Sequence, residues 1–231
     1  MKQRRVTAEI TQLTRLGLMN CFLVREDDGL TLVDTTIASS APAILAAAKR
    51  IGQPIRRILL THAHLDHTGA LDVLVQATGA EVSVGARESR LLAGDLSLDP
   101  REPQTRIRGS FKKVGTVPDA LLKSGDMVGS LRTVSTPGHT PGHLAFFDTR
   151  SRTLLAGDAV TSIGEMRVCS DAPWHFPFPV GGTWHAPTAL LSAADLADLD
   201  PRIVVCGHGK PITDGTRALA AALAHAELKV R

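Results

Sequence analysis

The chain has 231 residues, 43% hydrophobic and 21% charged, a composition that excludes intrinsic disorder and supplies enough apolar surface for a large core. Its 26 Lys and Arg against 23 Asp and Glu leave a net charge of +3, too small to point to nucleic acid. No uncharged apolar run of the ~18 residues a membrane span needs is present; no apolar segment follows the basic start to suggest a secretory signal; and the dispersed Cys21, Cys169 and Cys206 form no CxxC pair, so a reducing cytoplasm is expected.

In chain order, a strand pair is predicted at 21–24 and 30–33 around the turn Asp27-Asp28-Gly29, with Asp34 ending the second strand. A helix follows over 41–51, with Ser40 as its cap, Pro42 in its first turn, Gly52 at its end, and Ile44, Ala48 and Ile51 on its buried face. The apolar run Ile58-Leu59-Leu60 reads as a buried strand that empties into Thr61-His62-Ala63-His64-Leu65-Asp66-His67. Next come a helix over 70–77, a strand over 81–84, a short helix over 86–93 and a long loop over 94–115 carrying Arg101, Arg106, Arg108, Lys112 and Lys113. Strands are predicted at 131–135, 144–147 and 153–156. A Gly/Pro/aromatic stretch covers 162–187, followed by a helix over 187–199, a strand over 203–206 and an alanine-rich helix over 214–229. This alternation, with no linker or repeat, predicts one α/β domain over 1–231.

Imidazole and carboxylate suit zinc, iron or manganese at neutral pH, and His62, His64, Asp66 and His67 pack four such groups just past a strand. Alternate residues of an extended segment point the same way, so His62 and His64 can grip one ion, while Asp66 and His67 fall on the following turn beside a second. His139, in Thr136-Pro137-Gly138-His139-Thr140-Pro141-Gly142-His143, Asp158, in Ala156-Gly157-Asp158, and His208, in Cys206-Gly207-His208-Gly209, also sit at predicted strand ends. Rigid strands deliver side chains to one rim, and glycines let the backbone bend close to an ion.

These residues, in this order and spacing, resemble the metallo-β-lactamase-fold hydrolases, and the resemblance covers nearly the whole chain. It implies a four-layer αββα sandwich with two metal ions at one edge: zinc in the first instance, with iron or manganese as alternatives. Carried over by motif, His62, His64 and His139 hold one ion; Asp66, His67 and His208 hold the other; Asp158 bridges them; and Asp34 orients a ligand imidazole. His64, where the diiron oxidoreductase branch has an acid, and Asp158 with His67 resemble the glyoxalase II and lactonase side of the superfamily. Two features depart from it: the chain has no tyrosine, unlike well-studied lactonases, and only 23 residues follow His208, where glyoxalase II adds a helical glutathione-binding region.

The expected activity is cleavage of an ester, thioester or lactone by a hydroxide held between the two ions, with Asp66 and Asp158 as the catalytic carboxylates. A mononuclear-iron sulfur dioxygenase, a phosphodiesterase or RNA-processing nuclease, and a non-catalytic binding protein on the same scaffold are the alternatives. Half of the chain's eight aromatic residues fall between Trp174 and Trp184. Trp174, His175, Phe176, Phe178, Trp184 and His185 are therefore the candidate wall of a pocket for a small-molecule substrate with an apolar group. Neither a membrane nor nucleic acid is an expected partner, and a homo-oligomer is left open. His143 could support the site or face substrate; His225 reads as a solvated helix residue, and Cys206 as a small buried hydrophobe.

Overall fold

The computed structural model describes residues 1–171, 176 and 178–230. The predicted strand pair forms the last two strands of an antiparallel meander of β1 (Lys2–Arg5), β2 (Ile10–Arg15), β3 (Met19–Glu26) and β4 (Gly29–Val33). β3 and β4 pair from Phe22↔Val33 to Glu26↔Gly29. β4 is buried along its whole length, which is why it reads as an apolar run rather than an alternation. β5 (Ile55–Leu60), β6 (Glu81–Gly85) and β7 (Ala120–Leu122) extend the sheet in parallel. The seven strands lie in chain order.

Parallel neighbours need crossovers. They are α1 (Ala41–Ile51), then α2 (Leu65–Thr68) with α3 (Leu71–Thr78), then α4 (Ala86–Leu92) followed by the long loop. α1 has proline in its first turn and ends on Gly52, whose φ of 82° only glycine adopts without strain. Ala41, Ile44, Ala47 and Ala48 are its buried side chains, whereas Ile51 is half-buried. Ser40 makes no capping bond from its side chain: a 3-10 turn, Ala38–Ser40, runs straight into the helix and leaves no extended cap residue.

These elements form one compact unit, Met1–Gly94 with Phe111–Leu122; a second comprises Asp95–Ser110 with Lys123–Arg231. The second is built on β8 (Met127–Val128), β9 (Leu131–Ser135), β10 (Leu144–Asp148), β11 (Thr153–Leu155) and β14 (Ile203–Val205), in the order β14-β11-β10-β9-β8. β11 and β14 are parallel. Between them run the hairpin β12 (Val160–Thr161) and β13 (Arg167–Val168), α5 (Phe178–Gly182) and α6 (Ala186–Asp198), and α7 (Gly215–Val230) follows β14. Ala189, Ala193 and Leu196 of α6 and Leu219, Ala222 and Ala226 of α7 pack with Leu154 and Val204 in one core. Gly138 (φ 135°) lets the β9–β10 loop lie on α6: a Cβ there would sit 2.3 Å from the Ala189 Cα.

The fold class is the expected mixed α/β one. The elements absent from the sequence reading are β1, β2, the 3-10 turn Ala38–Ser40, α2, β7, β8, β12 and the small elements inside 162–187. The Lys-Gln-Arg-Arg of β1 is fully exposed and carries no apolar signal. No helix among the described residues is long and apolar enough to cross a membrane.

Candidate metal centre

In the first unit, His62 and His64 occupy the turn between β5 and α2, and Asp66 and His67 lie in α2 itself. Asp34, at the end of β4, is fully buried beneath them and adopts a left-handed φ of 60°, a conformation Asp tolerates better than most residues. Its Oδ1 accepts the Thr61 N–H at 2.9 Å, and its Oδ2 accepts the Thr61 hydroxyl at 2.8 Å. The same Oδ2 lies 2.8 Å from His67 Nδ1. A carboxylate only accepts, so His67 carries its proton on Nδ1 and turns the lone pair of Nε2 outward, 3.9 Å from Asp66 Oδ2.

His62 is fixed through one more atom. Thr61 Oγ1 spends its hydrogen on Asp34 and so accepts from His62 Nδ1 at 3.0 Å. The lone pair of His62 Nε2 then faces His64 Nδ1, 3.1 Å away, the convergence expected of two imidazoles that share a cation. The fully buried Glu88 of α4 accepts the Ala63 N–H at 2.8 Å and pins the turn between the two histidines. Phe111 forms a backbone bridge with His64, and its ring meets the imidazole edge-on at 4.8 Å.

In the second unit, one oxygen of Asp158 gathers two imidazoles. Oδ2 lies 3.6 Å from His139 Nε2 and 3.2 Å from His208 Nε2. His139 Nδ1 is 3.3 Å from Thr183 Oγ1, which donates to Pro179 O at 2.6 Å. The threonine oxygen therefore accepts from Nδ1, leaving Nε2 as the ligand atom. The His139 loop is also tied by its backbone, Trp184 N–H to His139 O and His185 N–H to Gly138 O, both 2.9 Å. Gly209 (φ 111°) follows His208 where a Cβ would lie 2.3 Å from the Ser162 carbonyl carbon, so the chain there packs against backbone that only glycine permits.

Of the candidate pocket wall, Trp174 and His175 lie outside the described residues. Phe176 is buried, with its ring 5.3 Å from those of His208 and Phe178. Phe178 itself is 72% exposed. Trp184 is buried and donates from Nε1 to Thr105 O at 3.0 Å. His185 caps α6: its Nδ1 accepts the Thr188 N–H at 3.3 Å. His225 is not a merely solvated helix residue, because its Nδ1 lies 2.5 Å from Asp171 Oδ2. The five basic side chains of the 94–115 loop are exposed. Burial pushes the Cys169 and Cys206 thiols from 9.0 up to about 12, so neither is a ready thiolate.

Thr61, Glu88, Thr136, Thr183 and Phe111 are supporting residues that the sequence did not single out. Thr61 and Thr136 alone had a local signal, each opening the stretch that carries a ligand histidine.

The donor set fits a divalent ion chemically. Nε2 of His62, His67 and His139 is a lone pair held by a partner on the opposite nitrogen, and carboxylates stand beside the imidazoles in each unit. This is the ligand chemistry of a metallohydrolase. The chain belongs to the metallo-β-lactamase superfamily, whose family model matches residues 15–208, and it is a metal-dependent hydrolase of that family. The uncharacterized protein YobT of Bacillus subtilis (strain 168) is 45% identical over 204 residues, covering 87% of this chain and 88% of YobT. The probable metallo-hydrolase YflN of the same organism is 30% identical, covering 83% and 79%. A hydroxyacylglutathione hydrolase of Rhodospirillum rubrum is 29% identical, covering 87% of this chain and 66% of that protein. Among solved structures, a metallo-β-lactamase from Pontibacter korlensis shares the fold, with a TM-score of 0.72 at 17% identity over 98% of each chain. TTHA1623, solved in a di-iron-bound form, gives 0.64 at 27% identity over 90% of this chain and 95% of its own.

Proposed function

We propose that the chain is a dinuclear hydrolase of esters, thioesters or lactones, with thioesters favoured. The observation that carries this reading is the single Asp158 oxygen set within 3.6 Å of His139 Nε2 and 3.2 Å of His208 Nε2, the disposition a bridging carboxylate needs. Read through the family's motifs, His62, His64 and His139 would hold one ion, and Asp66, His67 and His208 the other, with Asp158 common to both. Both sets of residues act as one domain in this reading, consistent with a family match that runs without a break from 15 to 208. Divalent ions bound there supply Lewis acidity toward a carbonyl oxygen and lower the pKa of water toward about 7. Zinc is the first candidate; the di-iron form of TTHA1623 makes iron the second.

The protein's own groups divide the remaining work. Asp34 holds two imidazoles in their ligand tautomers, one directly and one through Thr61. Asp158 is almost fully buried and has a fixed position, which suits it to orient a water for attack. The Asp66 side chain is 36% exposed, so it is the carboxylate able to take a proton and pass it to solvent. With no tyrosine in the chain, no phenol assists the carbonyl.

The hydroxyacylglutathione hydrolase relatives support a thioester. The Phe176–Phe178 ring pair beside His208 supports an apolar group on the substrate. The three buried thiols fit a reducing, cytoplasmic setting. A panel of thioesters, lactones and a phosphodiester, assayed with zinc- and iron-loaded protein, tests the reading. Thioester or lactone turnover that a chelator abolishes supports it; turnover confined to the phosphodiester refutes it.

A further inference from the structure

His143, the second histidine of the Thr136–His143 loop, is wholly buried, and both of its nitrogens are engaged. The Asp158 backbone N–H donates to its Nε2 at 3.0 Å. Nε2 must therefore carry a lone pair, and the proton resides on Nδ1, which lies 2.7 Å from Thr136 Oγ1. That hydroxyl turns its own hydrogen toward the His143 carbonyl at 3.4 Å and so accepts from the ring. The loop is also closed by a bond from Thr136 N–H to His143 O at 2.9 Å. One neutral imidazole thus ties the base of the loop that carries His139 to the turn that carries Asp158.

Asp158 is held from its other side as well. Gly157, with φ 53°, turns the chain just before it, and its carbonyl accepts the Gly207 N–H at 2.8 Å, next to His208. The backbone at Asp158 is therefore fixed between the His139 loop and the His208 turn, and its carboxylate oxygen falls between the two ligand nitrogens. An apolar side chain could fill the same core volume but would make neither the bond at Nε2 nor the bond at Nδ1.

We infer that His143 is a positioning residue. Its neutral ring sets where the Asp158 carboxylate stands relative to His139 and His208, and thereby how tightly metal is held, without touching metal or substrate itself. This rests on the reading of Asp158 as a metal ligand.

Zinc affinity decides the matter, measured by competition with a chelating dye and accompanied by thermal melting of the metal-free protein. In His143→Gln the amide oxygen can accept from Asp158 N–H while the amide nitrogen donates to Thr136, so zinc affinity should stay within about 3-fold of wild type. His143→Leu keeps the volume and loses both bonds; it should bind zinc about 10–100-fold more weakly, the usual cost of removing a ligand's supporting partner. Wild-type zinc affinity in the leucine variant, or equal losses in the two variants, overturns the inference. Should the leucine variant not fold, Thr136→Val, which removes the acceptor for Nδ1–H together with the longer bond to His143 O, should weaken zinc binding and Thr136→Ser should restore it. An unchanged affinity in the valine variant is then the overturning result. Wild-type protein that binds no divalent metal overturns the hydrolase reading and this inference with it. Two tightly bound zincs in both wild type and His143→Leu overturn this inference alone.

Discussion

Asp34→Asn isolates the electrostatic device beneath the His62–His67 turn. Asparagine has the size of aspartate and tolerates the left-handed φ of 60°, so the backbone is not strained. Its carbonyl can still accept the Thr61 N–H now bonded at 2.9 Å. Its amide would then face Thr61 Oγ1 and His67 Nδ1, both now at 2.8 Å from a carboxylate oxygen. The threonine hydroxyl can rotate to accept. The histidine must either leave two donors facing each other or move its proton to Nε2, the atom needed as a ligand. Loss of a buried charge-assisted network costs about 2–3 kcal/mol, which for a chain this size lowers Tm by roughly 4–12 °C. Metal affinity at His67 should fall about 10–100-fold. Elemental analysis after desalting should show loss of about one equivalent of metal, with a cooperative melt and a native circular dichroism spectrum. A variant that retains two tightly bound ions and wild-type turnover would refute the tautomer argument.

His62→Ala, His139→Ala and His208→Ala should each lower bound metal and turnover together, since water replaces an imidazole ligand poorly. Asp158→Ala should cost turnover by orders of magnitude while the circular dichroism stays native; unfolding in proportion to lost activity would make Asp158 structural instead. Phe178→Ala removes an exposed ring and should change stability by no more than about 0.5 kcal/mol while raising KM for long-chain but not short-chain esters. Trp184→Ala empties a buried site and breaks the bond to Thr105 O, so it should cost about 3–5 kcal/mol of stability; equal melting temperatures for the two variants would contradict their different burial. The Cys169 and Cys206 thiols, raised by burial from 9.0 to about 12, bind protons more tightly when folded. They should resist alkylation at pH 8, and their contribution to stability should be full below pH 9 and decline between pH 9 and pH 12; rapid labelling of native protein would refute this.

The ligand string was legible because it is local: His62, His64, Asp66 and His67 announce themselves by spacing, and Asp34, Asp158 and His208 each end a recognisable apolar strand. The partners that fix the tautomers were not, because Thr183 lies 44 residues from His139 and Glu88 lies 25 from Ala63, separations that only tertiary structure closes. His143 was visible as a residue but not as a link, since its two partners, Thr136 after β9 and Asp158 after β11, lie 7 and 15 residues away along the chain. Proximity in sequence groups Phe178 with Trp184, whereas one ring is exposed and the other is buried under a hydrogen bond. β1 escaped because a polar edge strand carries no hydrophobic period.

The central claim is that this chain holds two divalent ions and uses them to hydrolyse a carbonyl substrate. Elemental analysis of protein purified without added metal, paired with thioester turnover before and after chelation, tests it most directly. Two equivalents of zinc or iron per chain, with turnover lost on chelation and regained on metal return, is the predicted result. Turnover that persists in metal-free protein, or a chain that takes up no divalent ion, would contradict it.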